Sequence, residues 1–206
     1  MTAAPHLTES DLIDHLLGRD DLTVDDITGL PEDLRYELID GRLVLTPVGL
    51  PIHQILATKT VNALDENCRG PFVANQEQAL RASRRTELRP DAMLIRAEGA
   101  YRSPVWPADV LLVVEIISPS SRRSDRFDKM KRYADVGIPL YWIVDPLADR
   151  VTFSEFALAP DGAYQRRVHT DHRVELDEPW PITLDLPAWT EKRDWLRDLA
   201  RPDGLV

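Results

Sequence analysis

Apolar residues along this chain recur first at helical spacing, then mostly at strand spacing. In residues 1–32, Leu12, Ile13, Leu16 and Leu17 share one face of a predicted helix with Thr8 or Ser10 as its cap. TVDDITGLP predicts a second short helix ending at Gly29. Asp40-Gly41 between apolar runs predicts a hairpin with strands at 36–39 and 42–46. From Pro51 to about Asn67, Ile52, Ile55, Leu56, Val61 and Leu64 fit one broad helical face. PFVANQEQALR and ELRPDAMLIRAEG predict two strands separated by a basic turn at 81–85.

DVLLVVEIISPS is mostly apolar and reads as a strand central in a sheet. SDRFDKMKRYADVG predicts a helix capped by Ser124, with Asp125 and Asp128 in its first turn and Gly137 at its end. PLYWIVDP is a buried strand stopped at Asp145-Pro146, where Asp145 reads as a turn residue. Residues 150–186 predict an antiparallel meander, followed by a short polar helix with Trp189 and Trp195. The strand–helix–strand order across 110–144 is that of a parallel crossover. The expectation is a mixed α/β or α+β fold, one sheet with helices against it, in a single domain. Its parts are a helical segment at 1–32, a core at 33–148, and the meander with its helix at 149–206.

Composition narrows the function classes. The 206 residues hold 25 Lys+Arg against 35 Asp+Glu, a formal net charge of −10. A chain this acidic is not a coat for nucleic acid, although a local basic patch still allows binding. The single cysteine, Cys68, excludes an internal disulfide and a Cys-based zinc site. No apolar run approaches transmembrane length, and the N-terminus lacks a signal-peptide pattern, so the expected compartment is the cytoplasm with no membrane contact.

The candidate chemistry begins with Glu115, flanked on both sides by aliphatic residues in LLVVEIIS. Glu is rarely fully buried without a partner, so this position points either to a salt-bridged core acid or to a site. Asp91 stands in a comparable place at the start of the strand in RPDAMLI. Two carboxylates on neighbouring strands suit a hard cation such as Mg²⁺, with water filling most of its shell. Only four lysines occur, and two of them, Lys129 and Lys131, lie on the helix after the Glu115 strand. Residues 122–132 carry six basic side chains and two acids, net +4. Helical geometry leaves open which lysine turns inward, since Lys129 shares a stripe with Asp125 and Tyr133 while Lys131 flanks Phe127 and Ala134. Ser118, Ser120 and Ser121 lie in no GxSxG context, which argues against a serine hydrolase. Tyr141, Trp142, Trp180, Trp189 and Trp195 read as core or interface.

YELIDGRLVLTP, His53 soon after it, RPDAMLI, VVEIISPSS and DRFDKMKRYADVGIPLYWIVDP together resemble the Uma-two family of restriction-endonuclease-like proteins, within the PD-(D/E)XK nuclease superfamily. The resemblance spans roughly residues 22–189. It implies a restriction-endonuclease-like core, with Asp91 and Glu115 as the motif acids. The motif's lysine position, two residues after Glu115, is Ile117. The resemblance puts a substitute on the following helix, four residues before a tyrosine, which is Lys129 before Tyr133. Glu37 matches a recurrent family acid that completes the metal shell, or else is a polar hairpin residue. His53 reads as a capping or packing residue within reach of the site.

The expected function is hydrolysis of DNA phosphodiester bonds with Mg²⁺ or Mn²⁺ held by Asp91, Glu115 and Glu37, Lys129 serving the reaction, in a homodimer. Arg122, Arg123, Arg126 and Lys131 would contact backbone phosphates. The rival is a catalytically weak or inactive nuclease-like fold acting as a binding or regulatory module, favoured by the net charge and by Ile117. An amide- or ester-hydrolysing enzyme comes third.

Overall fold

The computed structural model describes residues 9–31, 33–47, 49–68, 70–119, 121 and 124–200, with side chains from Asp11 onward. In chain order the elements are α1 (Glu9–Leu17), β1 (Tyr36–Ile39), β2 (Arg42–Leu45), α2 (Pro51–Glu66), β3 (Phe72–Gln76), β4 (Leu80–Ser83), β5 (Thr86–Leu88) and β6 (Ala92–Arg96). Then follow β7 (Val110–Ile116), α3 (Lys129–Asp135), β8 (Leu140–Asp145), β9 (Thr152–Leu158), β10 (Tyr164–Thr170), β11 (Val174–Leu176), β12 (Ile182–Leu184) and α4 (Leu186–Leu199).

The six-stranded sheet runs β10-β9-β8-β7-β6-β3. Only β7 and β8 pair in parallel, through the crossover that carries α3. Strand β7 lies inside this sheet, and both of its faces are covered, which explains its nearly unbroken apolar run. Leu112, Val114 and Ile116 face a core shared with α2 and α4. Val113 and Ile117 face a second core with Tyr133, Ile138 and the strand residues Leu80 and Leu88. A four-stranded sheet, β2-β1-β5-β4, covers that second side. Its outer face is closed by Leu16, Leu22, Val24 and Ile27, packed on Tyr36, Leu38 and Leu43.

The hairpin forms as the sequence predicts, with Asp40 at φ 52° and Gly41 at φ 85°, the left-handed pair that a two-residue turn requires. A Cβ on Gly41 would lie 2.5 Å from the Arg85 guanidinium.

Two predicted strands are each divided between the sheets. PFVANQEQALR breaks at Glu77, whose φ of 51° turns the chain out of the large sheet, so β4 joins the small one. ELRPDAMLIRAEG breaks at Pro90, which has no N–H for a ladder, leaving β5 in the small sheet and β6 in the large one. The predicted meander also divides. Strands β9 and β10 extend the large sheet from β8, while β11 and β12 form a separate two-stranded ribbon.

The second N-terminal helix is a single 3₁₀ turn, Val24–Ile27. Ser10 lies within α1 rather than capping it, and Thr8 lies outside the described residues. Helix α3 starts only at Lys129, after a wide π turn at Ser124–Asp128, so Ser124 is not its cap.

Candidate active site

The register of the large sheet brings the two motif acids together. Ala92 pairs with Val114 across the antiparallel β6–β7 ladder, so the next pair outward is Asp91 with Glu115, on one face. Asp91 Oδ2 accepts the Ile116 backbone N–H at 2.6 Å, which fixes it at the mouth of the ladder. The same oxygen lies 3.2 Å from His53 Nε2, carried in the first turn of α2. From the small sheet, Glu37 on β1 is buried and accepts the Arg89 N–H at 3.0 Å.

Lys129 closes the group. Its Nζ lies 2.9 Å from Glu37 Oε1, 3.2 Å from Glu115 Oε1 and 3.7 Å from Asp125 Oδ1. Ile117 is buried in apolar contacts, and the ammonium reaches Glu115 from the crossover helix instead of from the strand. One turn later on α3, the buried Tyr133 hydroxyl donates to Glu115 Oε1 at 2.7 Å. The inward stripe of the helix is therefore Asp125, Lys129 and Tyr133.

The wide turn has a role here. Asp125, expected in the first turn of the helix, lies in the π turn ahead of it and is 1% exposed. The Tyr141 hydroxyl donates to its backbone carbonyl at 2.6 Å and holds the π turn in place. Neither carboxylate oxygen of Asp125 takes a well-formed hydrogen bond from the described residues. The Lys129 charge and the Ser121 side chain temper its charge.

Three carboxylates thus share one ammonium, with Asp91 beside them against His53. Burial pushes Glu115 well above the usual carboxylate range; Lys129 opposes the rise, and the other acids add to it. Burial works against the charge on Lys129, but Glu115, Glu37 and Asp125 outweigh it and keep the ammonium protonated. Asp125 rises from 3.8 to about 6, chiefly through burial. Burial opposes protonation of His53, yet its bond to Asp91 and that carboxylate's charge leave it raised. Glu115 and Asp125 are therefore the members of the group whose ionisation the fold resists.

The other predicted site residues are dispersed. Arg126 pairs with Asp145 at the end of β8. Asp145 also accepts the Leu147 N–H at 2.8 Å, the turn role expected of it. Lys131 bonds Asp135 at 2.7 Å on the exposed side of α3 and does not join the cluster. Arg122 and Arg123 lie outside the described residues, as does Ser120. Ser118 and Ser121 bond each other across their loop at 2.8 Å. Sequence reasoning left His53 with a packing role and Asp125 with a cap-region role. For Asp125, the shared stripe with Lys129 and Tyr133 was the available signal.

The resemblance found in the sequence implies a divalent metal, and the donor chemistry suits one. All the acids offer hard oxygen donors, and Asp125 is a buried carboxylate that takes no well-formed hydrogen bond from the described residues. Among the described residues, no three His, Cys, Asp or Glu side chains form a ready metal cage. The arrangement fits a hydrated Mg²⁺ held by one or two carboxylates, the usual style for that ion.

A family model, Uma2, described as "Putative restriction endonuclease", matches residues 23–193. The chain belongs to the Uma2 family. No curated protein matches it. Among solved structures, this Uma2 chain is similar to "a putative nuclease belonging to DUF820 from Anabaena variabilis ATCC 29413", with a TM-score of 0.58 and 16% identity. The match covers 83% of this chain and 92% of that one, and the likeness is one of fold. Among the described residues of this Uma2 protein, no helix is long and apolar enough to cross a membrane.

Proposed function

We propose that this Uma2 protein hydrolyses DNA phosphodiester bonds with the help of Mg²⁺ or Mn²⁺. The observation that carries the reading is the pairing of Asp91 with Glu115 on one face, with the Lys129 ammonium 3.2 Å from Glu115. Asp91 and Glu115 would hold the cation, with Glu37 beside them. Bound there, the cation would polarise the phosphoryl oxygen and lower the pKa of the attacking water. Lys129, kept protonated by its neighbours, orients that water or offsets charge developing on phosphorus. Tyr133 and His53 fix the orientations of Glu115 and Asp91. Arg122, Arg123, Arg126 and Lys131 would contact backbone phosphates, Arg126 and Lys131 from their pairs with Asp145 and Asp135.

A second reading, a nuclease-like binding module, is favoured by one observation: Lys129 already neutralises part of the acid cluster. Supercoiled plasmid, incubated with purified protein in Mg²⁺, Mn²⁺ or EDTA, separates the two. Metal-dependent cleavage that Glu115→Gln abolishes supports the nuclease. Mn²⁺ binding by calorimetry without cleavage of any DNA supports the module. The absence of both binding and cleavage refutes the proposal.

A further inference from the structure

Beside the acid pair lies a polar group that neither the motif nor the mechanism uses. Gln76 pairs with Ala92 across β3–β6, so the next residue, Glu77, arrives at the level of Asp91. Its φ of 51°, uncommon for a residue with a side chain, swings Glu77 out of the row. The carboxylate is caught by the Arg35 guanidinium through two parallel bonds, Nη1 to Oε1 and Nη2 to Oε2, both 2.7 Å. Gln54 Nε2 adds a third, at 3.0 Å. Gln54 is the neighbour of His53, so one turn of α2 touches both Asp91 and this clamp.

Arg35 faces the site. Its carbonyl accepts the Thr46 N–H, extending the β1–β2 hairpin by one pair. Alternation then puts its side chain on the same face as Glu37. The charge of Asp91 also helps to hold the guanidinium protonated, after the larger effect of Glu77. The side chain is 39% exposed, at the rim of the buried cluster.

An end-on carboxylate pair takes one N–H from each terminal nitrogen. A guanidinium has five, so the Nε–H and the adjoining Nη–H remain as a second planar fork. No described residue takes a hydrogen bond from that fork. It matches two oxygens of a phosphate.

We propose that Arg35, oriented by Glu77 and Gln54, binds a DNA backbone phosphate next to the one that is cleaved. The proposal rests on the nuclease reading and adds a contact from the β1 side of the site. Glu77 is a positioning residue: its strained backbone and bidentate grip set the plane of the guanidinium before substrate arrives.

The test is anisotropy of a labelled duplex in Ca²⁺ across a salt series, for wild type, Arg35→Ala, Arg35→Lys and Glu77→Gln, with Mn²⁺ calorimetry on the same proteins without DNA. Arg35→Ala should weaken duplex binding about tenfold, the weight of a charge-assisted bond, and lower the slope of log K against log salt by about one. Arg35→Lys should keep the slope and lose affinity several-fold, because the charge stays and the fork is gone. Glu77→Gln should keep the slope, weaken binding and lose further response to Arg35→Lys, because both act through one orientation. Mn²⁺ affinity without DNA should be unchanged throughout. Unchanged duplex affinity in Arg35→Lys, whose ion pair with Glu77 keeps the fold, overturns the proposal even where Arg35→Ala fails to fold. Wild type that binds Mn²⁺ and duplex while Arg35→Ala matches it in affinity and slope overturns the Arg35 role alone. Wild type that binds no duplex overturns the nuclease reading and this proposal together.

Discussion

Asp125→Asn should make the metal-free protein more stable. The carboxylate is buried, takes no well-formed hydrogen bond from the described residues and has its pKa raised from 3.8 to about 6. At about 1.36 kcal/mol per pKa unit, ionising it in the fold costs about 3 kcal/mol more than in the unfolded chain. The folded group binds its proton more tightly, so this penalty is full above about pH 6 and gone below 3.8. At pH 5 about half of it remains. Asparagine keeps the shape and removes the charge, but its amide also needs partners and Lys129 loses a contact at 3.7 Å. The net gain at pH 7.5 should therefore be about 1–2 kcal/mol, or about 3–6 °C in Tm for a chain of this size. Urea and thermal melts in EDTA at pH 7.5 and pH 5 measure it. A variant no more stable than wild type at pH 7.5, or a gain that does not shrink at pH 5, refutes the reasoning.

Lys129→Met should destabilise the metal-free protein by about 3–5 kcal/mol, because Glu37 and Glu115 are left buried without their cation. Millimolar Mn²⁺ should then raise its melting temperature more than it raises that of wild type, and equal shifts would contradict a shared site. Tyr133→Phe should cost about 1–3 kcal/mol in a urea melt, the range for losing a buried bond to a carboxylate. Mn²⁺ affinity measured by calorimetry should fall as pH drops through about 6, where Asp125 takes up its proton, and a flat profile between pH 5 and 7.5 would count against it. Gly41→Ala should destabilise by about 1–3 kcal/mol, since it needs φ 85° and meets the Arg85 guanidinium.

What could be read from the sequence was whatever local pattern decides. The unbroken apolar run around Glu115 marked a strand covered on both faces, and Asp40-Gly41 marked the hairpin. The shared stripe of Asp125, Lys129 and Tyr133 followed from helical geometry, but its inward direction did not, because that depends on where α3 docks. Glu77 was hidden for another reason. Nothing in PFVANQEQALR marks a break at Glu77, and its left-handed backbone goes with an ion pair to Arg35, 42 residues away in sequence. The separation of β5 from β6 was signalled by Pro90, but nothing local says which sheet each half joins. His53 was placed at a helix entrance by its neighbours, while its bond to Asp91 depends on how α2 lies across the sheet.

Because Lys129 arrives on the crossover helix, the acids and their counter-charge are separated in the order of synthesis. Glu37, Asp91 and Glu115 all precede the ammonium that neutralises them. A nascent chain that has exposed β6 and β7 but not yet α3 holds like charges at the mouth of a ladder, and those charges oppose its closure. In the folded chain the docked α3 offsets those charges, and the same crossover leads into β8, the parallel partner of β7. Of the groups that meet in the cluster, the ammonium that offsets Glu37 and Glu115 is thus made after both of them, on the segment that links the two parallel strands.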